Sequence, residues 1–282
     1  MKLLQVYTDK IIREALLEDI NYLDLATDYL IDENKVSTAV FTAKKDGVVC
    51  GIEIAARVFE LLDKNSTAKI LVNDGQKVTA GQKIAEFTAS AAALLKGERT
   101  ALNLIGHMSG IATATALITD RLKNTPEVSV CETRKTHPGL RALEKYAVLC
   151  GGGKNHRFNL SDAAMIKDTH IDVCGSVYKA VTELKKRAGH MVKVEIEVGN
   201  FEQLEEAFSA GADVIMLDHF STEDMKKAVE MNAKRNIPAI LEASGNITKE
   251  NIEKVAAAGV DVISLGAITY AAGVLDISMR IL

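Results

Sequence analysis

A chain of 282 residues, 48% apolar and 26% charged, holds enough material for one large domain or two modest ones. A net charge of −4 excludes any general attraction to nucleic acid or to anionic membranes, so an anion site has to be a local cluster. With 3 prolines and 19 glycines, low-complexity linkers are excluded too.

In chain order, residues 1 to about 20 set Leu3, Ile11, Ile12, Leu16 and Ile20 at helical spacing. Charges interrupt this opening stretch, so it is not read as a signal peptide. No apolar run is read as approaching the roughly 20 residues of a membrane span. "VSTAVFTAKKDGVVCG" alternates like an antiparallel strand pair turning at Asp46-Gly47. "IEIAARVFELLDK" reads as a helix, and "AKILVNDGQKVTAGQKIAEFTA" returns to strands with glycine at the turns. The cadence of "DGQKVTAGQKIAEF" suits a lipoyl- or biotinyl-type hairpin, but no lysine occupies the expected tip, and turn chemistry accounts for its glycines. Residues 91–123 are predicted as a long helix, broken near Gly106 or Gly110. Cys50, Cys131, Cys150 and Cys174 have no Cys-x-x-Cys spacing and read as reduced, mostly buried thiols of a cytoplasmic protein.

From about residue 128 the rhythm changes. The short apolar runs "VSVCE", "AAMIKD", "VKVEIEV", "ADVIMLD", "PAILEAS" and "VDVISLG" recur, with amphipathic helices between the later ones. "SAGADVIMLDH" and "AAGVDVISLGA" echo each other as repeated helix-to-strand joints. Alternating strands and helices predict parallel strands with crossover helices, in a barrel or an open sheet, and six runs favour the barrel.

Each run ends on a polar or glycine position: Thr133-Arg134-Lys135, Lys167-Asp168, Glu197, Asp218-His219, Ser244-Gly245 and Gly266. In a parallel α/β barrel these ends meet at one mouth, although strand ends are often polar simply because loops begin there. The last two ends place glycine before a helix, where exposed N–H groups can cradle a phosphate. The strongest signal is basic. Residues 131–170 contain Arg134, Lys135, Arg141, Lys145, Lys154, Arg157 and Lys167, with His137, His156 and His170. Arg141 and Lys145, spaced i,i+4, are expected to face water. The rest suit a substrate with several negative charges, because guanidinium forks match carboxylate or phosphate. "GGGK" lacks the P-loop spacing. Glu197 and Asp218 suit a shared Mg²⁺ or a positive charge developing in the transition state; the bland reading is a salt bridge to Arg134 and Lys167.

"ERTALNLIGHMSGIATATA", "ETRKTHPGLRALEKYAVLCGGGKNHR", "AAMIKDTHI", "IMLDH", "LEASGNI" and "DVISLGAIT" resemble the quinolinate phosphoribosyltransferase family, from roughly residue 95 to the C-terminus. The resemblance implies an N-terminal α/β sandwich domain over residues 1–112, with the tail 268–282 packed back on it, and an incomplete α/β barrel of parallel strands over residues 113–267. It implies transfer of phosphoribose from phosphoribosyl pyrophosphate to quinolinate with loss of carbon dioxide, in a Mg²⁺-using cytoplasmic homodimer that feeds NAD synthesis. Carried over, Arg134, His156, Arg157 and Lys167 line the quinolinate pocket, and Thr133 binds substrate. Lys135 sits between quinolinate and pyrophosphate, and Arg99 reaches the partner's pocket. Glu197 and Asp218 lie by the ribose and the metal, with Lys135 completing the catalytic set. Ser244, Gly245, Asn246, Gly266 and Ala267 cradle the 5′-phosphate, and Lys154 faces solvent. Glu132, Thr169, His219, Asn246 and Tyr270 depart from the family's usual residues. Three rival readings stay open: a Schiff-base lyase using Lys135 or Lys167, a non-catalytic ligand sensor, and a relative acting on a different base.

Overall fold

The computed structural model describes residues 3–32 and 34–282. The first two residues of the predicted opening helix lie outside the described residues. In chain order the elements are α1 (Gln5–Ile20), α2 (Leu25–Leu30), β1 (Val36–Ala43), β2 (Gly47–Val48), α3 (Ile52–Leu62), β3 (Thr67–Ile70), β4 (Lys77–Val78), β5 (Lys83–Ser90) and α4 (Ala91–Thr119). Then come β6 (Ser129–Cys131), α5 (Arg141–Cys150), β7 (Ala164–Ile166), α6 (Asp168–Cys174), α7 (Val177–Arg187), β8 (Val194–Val198), α8 (Phe201–Ala210), β9 (Val214–Asp218), α9 (Thr222–Ala233), β10 (Ile240–Ser244), α10 (Ile252–Ala256), β11 (Val262–Ser264), α11 (Ala267–Tyr270) and β12 (Ile277–Ile281). They form two compact units. The first comprises Met1–Ala116, Thr136–Gly152 and Ala267–Leu282, and the second Leu117–Lys135 and Gly153–Gly266. Residues 136–152 thus group with the first unit, although the strands that flank them in sequence belong to the second.

The first unit is built on an antiparallel sheet in the order β12-β1-β5-β3. The last strand closes onto the first, with Ala39 opposite Ile281 and Ala43 opposite Ile277. Alternation along β1 and β5 turns Phe41 and Phe87 inward, where they meet Phe59 of α3, with ring centroids 4.8 to 6.1 Å apart. Asp24 caps α2 by accepting from the Ala26 and Thr27 N–H groups. The strand pair expected to turn at Asp46-Gly47 does not form. β1 pairs with β12 and β5, while β2 pairs with β4 in a separate two-stranded sheet. The alternation was real, but the partners are distant in sequence.

The structure overturns three further expectations. α4 is unbroken. A Cβ on Gly110 would sit 1.8 Å from the Gly273 carbonyl oxygen, so that glycine serves a close backbone approach and not a helix break. The residues Ala91–Leu122 are also long and apolar enough, by length and composition, to cross a membrane, contrary to the sequence reading. Over half of that apolar window is buried inside the protein, as in a core helix, and Ser109 and Thr115 on it are fully buried. On α5, Lys145 does not face water: it is 0% exposed, and Arg141 is half-buried with Nε donating to Thr136 Oγ1 at 3.0 Å. Ala142, Leu143, Glu144, Ala147 and Val148 are buried as well, so α5 is covered nearly all round and charges at i,i+4 mark no solvent face.

The second unit is a six-stranded parallel sheet in the order β6-β11-β10-β9-β8-β7. The six predicted apolar runs supply its six strands. β6 and β7 occupy opposite ends of the order, which makes it an incomplete barrel. Ser176, Asn200 and Ser221 cap α7, α8 and α9 by accepting backbone N–H groups three residues on. The two echoed joints use one device. Gly211 and Gly259 turn in the left-handed region, and the following Asp213 and Asp261 accept the Val194 and Leu241 N–H groups, each at 2.8 Å. Each aspartate ties its own strand to the start of the neighbouring one, which sets the parallel register and lines up the C-terminal ends.

Candidate active site

Those aligned ends enclose a cavity of about 470 Å³ within the second unit. Thr133, Arg134 and Lys135 reach it from the segment after β6, and His156 and Arg157 from the glycine-rich loop. Lys167 enters from the end of β7, Glu197 from β8, Asp218 and His219 from the end of β9, and Ser244 from β10. The loop itself is anchored where it leaves the glycines, since the Lys154 N–H donates to the Val130 carbonyl at 2.7 Å. Lys154 is exposed, as expected, with Nζ on Ser129 Oγ at 2.8 Å.

Five carried-over residues stand elsewhere. Gly245 and Asn246 follow Ser244 in the left-handed region, at φ 87° and 52°. A Cβ on Gly245 would lie 2.7 Å from the His219 ring, so only glycine lets that ring lie against the backbone. The predicted glycine-to-helix joint is looser here than expected: residues 245–251 separate β10 from α10, so no helix begins at Gly245. Gly266 lies two residues past the end of β11, after Leu265. Ala267 opens the four-residue α11 in the first unit, and Arg99 is exposed on α4, also in the first unit.

The charges are arranged in two layers. At the mouth Lys167 Nζ bonds Glu197 Oε1, and Arg157 Nη1 donates to the Ala163 carbonyl at 2.9 Å. Burial, and then the neighbouring Arg134 charge, hold the Arg157 pKa below its usual value. Two neighbouring guanidinium charges lining one cavity suit an anionic ligand. The floor lies two residues back along the strands, because side chains on one face of a strand recur with period two. There Glu132, Glu195 and Glu242 are all buried. The His156 N–H donates to Glu132 Oε1 at 3.1 Å, and Nε2 faces Glu195 Oε2 at 3.2 Å and Glu242 Oε1 at 3.5 Å. Burial pushes the His156 pKa down, but the two carboxylates outweigh it and raise it to about 10. The Arg157 N–H points at Nδ1 from 2.7 Å, which favours a neutral ring. Two buried carboxylates within 3.5 Å outweigh one amide dipole, which favours the imidazolium form of the ring. Burial raises the Glu195 pKa in turn, opposed by its bond to His156.

Sequence reasoning singled out neither Glu195 nor Glu242. The signal was present: a glutamate in the middle of an apolar strand run, two positions before a residue already assigned to the mouth, points into the same interior.

A family model described as quinolinate phosphoribosyl transferase, C-terminal domain, matches residues 111–280, and the N-terminal domain model of the same family matches residues 24–109. The chain is 43% identical over 272 residues to a Bacillus subtilis protein named probable nicotinate-nucleotide pyrophosphorylase (carboxylating), covering 96% of this chain and 92% of the relative. It is 38% identical over 271 residues to the nicotinate-nucleotide pyrophosphorylase (carboxylating) of Mycobacterium leprae, covering 95% of each. The solved structure of NadC from Streptococcus pyogenes matches with a TM-score of 0.94 at 39% identity, over 99% of this chain and 98% of that one.

Proposed function

The chain belongs to the quinolinate phosphoribosyl transferase family, and from that premise we propose how its own residues carry out the family's reaction. The enzyme transfers phosphoribose from phosphoribosyl pyrophosphate to the ring nitrogen of quinolinate, with loss of carbon dioxide. The products are nicotinate mononucleotide and pyrophosphate, a step in NAD synthesis. The observation that carries the assignment of roles is the crowding of Arg134, Lys135, His156, Arg157 and Lys167 around one cavity. Such a set would exclude a neutral pyridine and hold a pyridine dicarboxylate by charge-assisted hydrogen bonds.

Arg134, His156, Arg157 and Lys167, with Thr133, grip the two carboxylates and aim the ring nitrogen at C1 of the sugar. The nitrogen attacks with its lone pair, so no general base is needed, and the C1–O bond to pyrophosphate breaks. Glu197 and Asp218 face the positive charge that develops on the ribose, and Lys135 faces the departing pyrophosphate. Once the nitrogen is cationic, the carbon–carbon pair released by decarboxylation is stabilised next to it until a proton arrives. Catalysis is positioning and electrostatics. Ser244, Gly245, Asn246, Gly266 and Ala267 are assigned to the 5′-phosphate.

Glu197 and Asp218 fit Mg²⁺, which takes one or two carboxylates beside substrate phosphates and water; the Lys167–Glu197 bond is the contact the ion would compete with. When bound, the ion neutralises charge on the leaving pyrophosphate. We assign the enzyme to a cytoplasmic homodimer in which Arg99 completes the neighbouring site. The Schiff-base reading is disfavoured at Lys167, because its amine is engaged by the Glu197 carboxylate.

The deciding assay supplies purified protein with quinolinate, phosphoribosyl pyrophosphate and Mg²⁺. Carbon dioxide and nicotinate mononucleotide are expected in equal amounts. Product formed with nicotinate in place of quinolinate, without carbon dioxide, would sink the proposed roles of the cationic set.

A further inference from the structure

Cys50 and Cys150 are a hundred residues apart in sequence and adjacent in the first unit, where neither serves the reaction. Cys50 immediately precedes Gly51, the N-cap of α3, and is fully buried; Cys150 ends α5 and is half-buried. Their sulfurs and a carboxylate oxygen of Asp74 all lie within 4.8 Å of one another. The backbone around them is held firmly. The Cys50 N–H donates to Ser109 Oγ at 2.9 Å, and the Ser109 hydroxyl donates back to the Cys50 carbonyl at 3.1 Å.

Three such groups invite a metal reading, but the carboxylate is already committed. Asp74 Oδ1 accepts the Gly51 and Ile52 N–H groups at 2.9 and 3.1 Å, which caps α3, and Oδ2 accepts the Tyr146 hydroxyl at 3.1 Å. What remains free for chemistry is a pair of thiols of unequal character. A hydrogen bond from Cys50, opposed by burial and by the Asp74 charge, lowers the Cys150 pKa. Burial, and then the same hydrogen bond, raise the Cys50 pKa. The more exposed sulfur is therefore the better thiolate, and the buried one stays protonated beside it.

We propose that Cys50 and Cys150 are a modification site that hydroperoxides convert to a reversible intramolecular disulfide. The Cys150 thiolate attacks a peroxide oxygen, the O–O bond breaks, and hydroxide or alkoxide leaves, giving a sulfenic acid. The Cys50 sulfur then attacks the Cys150 sulfur, the S–O bond breaks, and water leaves with the Cys50 proton. The two thiols supply the two electrons that reduce the peroxide. An external dithiol returns both sulfurs to the thiol state. The bond ties the end of α5, where the glycine run begins, to the start of α3, and closes a loop of about 100 residues in the unfolded chain.

The test is stoichiometric hydrogen peroxide on the reduced full-length protein, followed by alkylation and non-reducing peptide mass spectrometry. The expected result is a Cys50–Cys150 cross-linked peptide, removed by dithiothreitol, with Tm raised by about 5 °C or more. Cys150→Ser should abolish both. Cys50→Ser, or Cys50→Ala if the buried hydroxyl destabilises the fold, should leave Cys150 as a sulfenic acid that dimedone traps. Cys174→Ser should leave the cross-link intact. The proposal is overturned by linkage to Cys131 or Cys174, by Cys150 passing to sulfinic acid with Cys50 still free, by no reaction at Cys150, or by stoichiometric zinc on the pair in the purified protein.

Discussion

Each unit carries a cluster of histidine and glutamate around buried carboxylate, and the two are built in opposite proportions. In the first unit, one fully buried carboxylate is shared by two imidazoles. Glu144 Oε1 lies 2.9 Å from His107 Nε2 and 2.7 Å from His137 Nδ1, and the two rings meet edge to face at 5.2 Å. In the second, one imidazole is shared by two carboxylates. The minority group is the one whose ionisation the cluster controls. Burial pushes the Glu144 pKa up, but its two histidines outweigh burial and hold it below the usual carboxylate value. At His156 the two glutamates outweigh burial in the other direction. Identical side chains thus make a satisfied anion in one place and a persistent cation in the other, and only the cation lines the cavity.

The largest effect should come from removing the cations that the floor supports. Arg157→Ala should raise the KM for quinolinate about 100-fold while that for phosphoribosyl pyrophosphate shifts little. Steady-state kinetics with each substrate varied in turn checks it, and equal losses for both would contradict the assigned roles. Changing the proportion at His156 comes next. Glu195→Gln should raise the quinolinate KM about tenfold and lower the His156 pKa. With the pKa raised, the imidazolium's contribution is complete below its unfolded value of about 6.5, and it is lost as pH rises through about 10. In the variant that loss should move to lower pH, in both the KM profile and a ¹⁵N NMR titration of the ring. An unmoved profile would reduce Glu195 to packing. The smallest kinetic effect belongs to the first unit. Glu144→Gln should cost about 1–3 kcal/mol of stability by leaving two histidines short of their anion, with little change in either KM. Because the Glu144 pKa is depressed, its contribution is present above the unfolded value of about 4.3 and fades as pH falls through the folded one. A Tm difference between wild type and variant that persisted undiminished to pH 3 would refute the comparison.

Much of the second unit was legible because parallel strands write their pattern locally. An apolar run of five, a polar end and a glycine joint are each a few residues long, and "VKVEIEV" or "ADVIMLD" announces a strand without knowledge of its neighbours. The mouth residues Lys167, Glu197 and Asp218 could be read from the ends of those runs. The floor could not be assigned so easily, because Glu195 stands in its run like any strand residue until the barrel closes over it. In the first unit the errors share one cause. "VSTAVFTAKKDGVVCG" was misread as a hairpin since β1's partners lie at β5 and at the C-terminal β12, far along the chain. Gly110 was misread as a break since the backbone it admits belongs to residues 273 and 274. Arg141 and Lys145 were misread as solvated because periodicity shows that two charges share a face, and not which way the face turns.

By itself the sequence determined the six parallel strands, the type of residue that ends each of them and, through its long motifs, the family. Hydrophobic periodicity and joint chemistry act over a few residues, and those determinations need no more. Tertiary structure alone decided which lysine is buried and which two thiols became neighbours. Desolvation and Coulomb interactions depend on distance in space, and only the closed fold sets those distances.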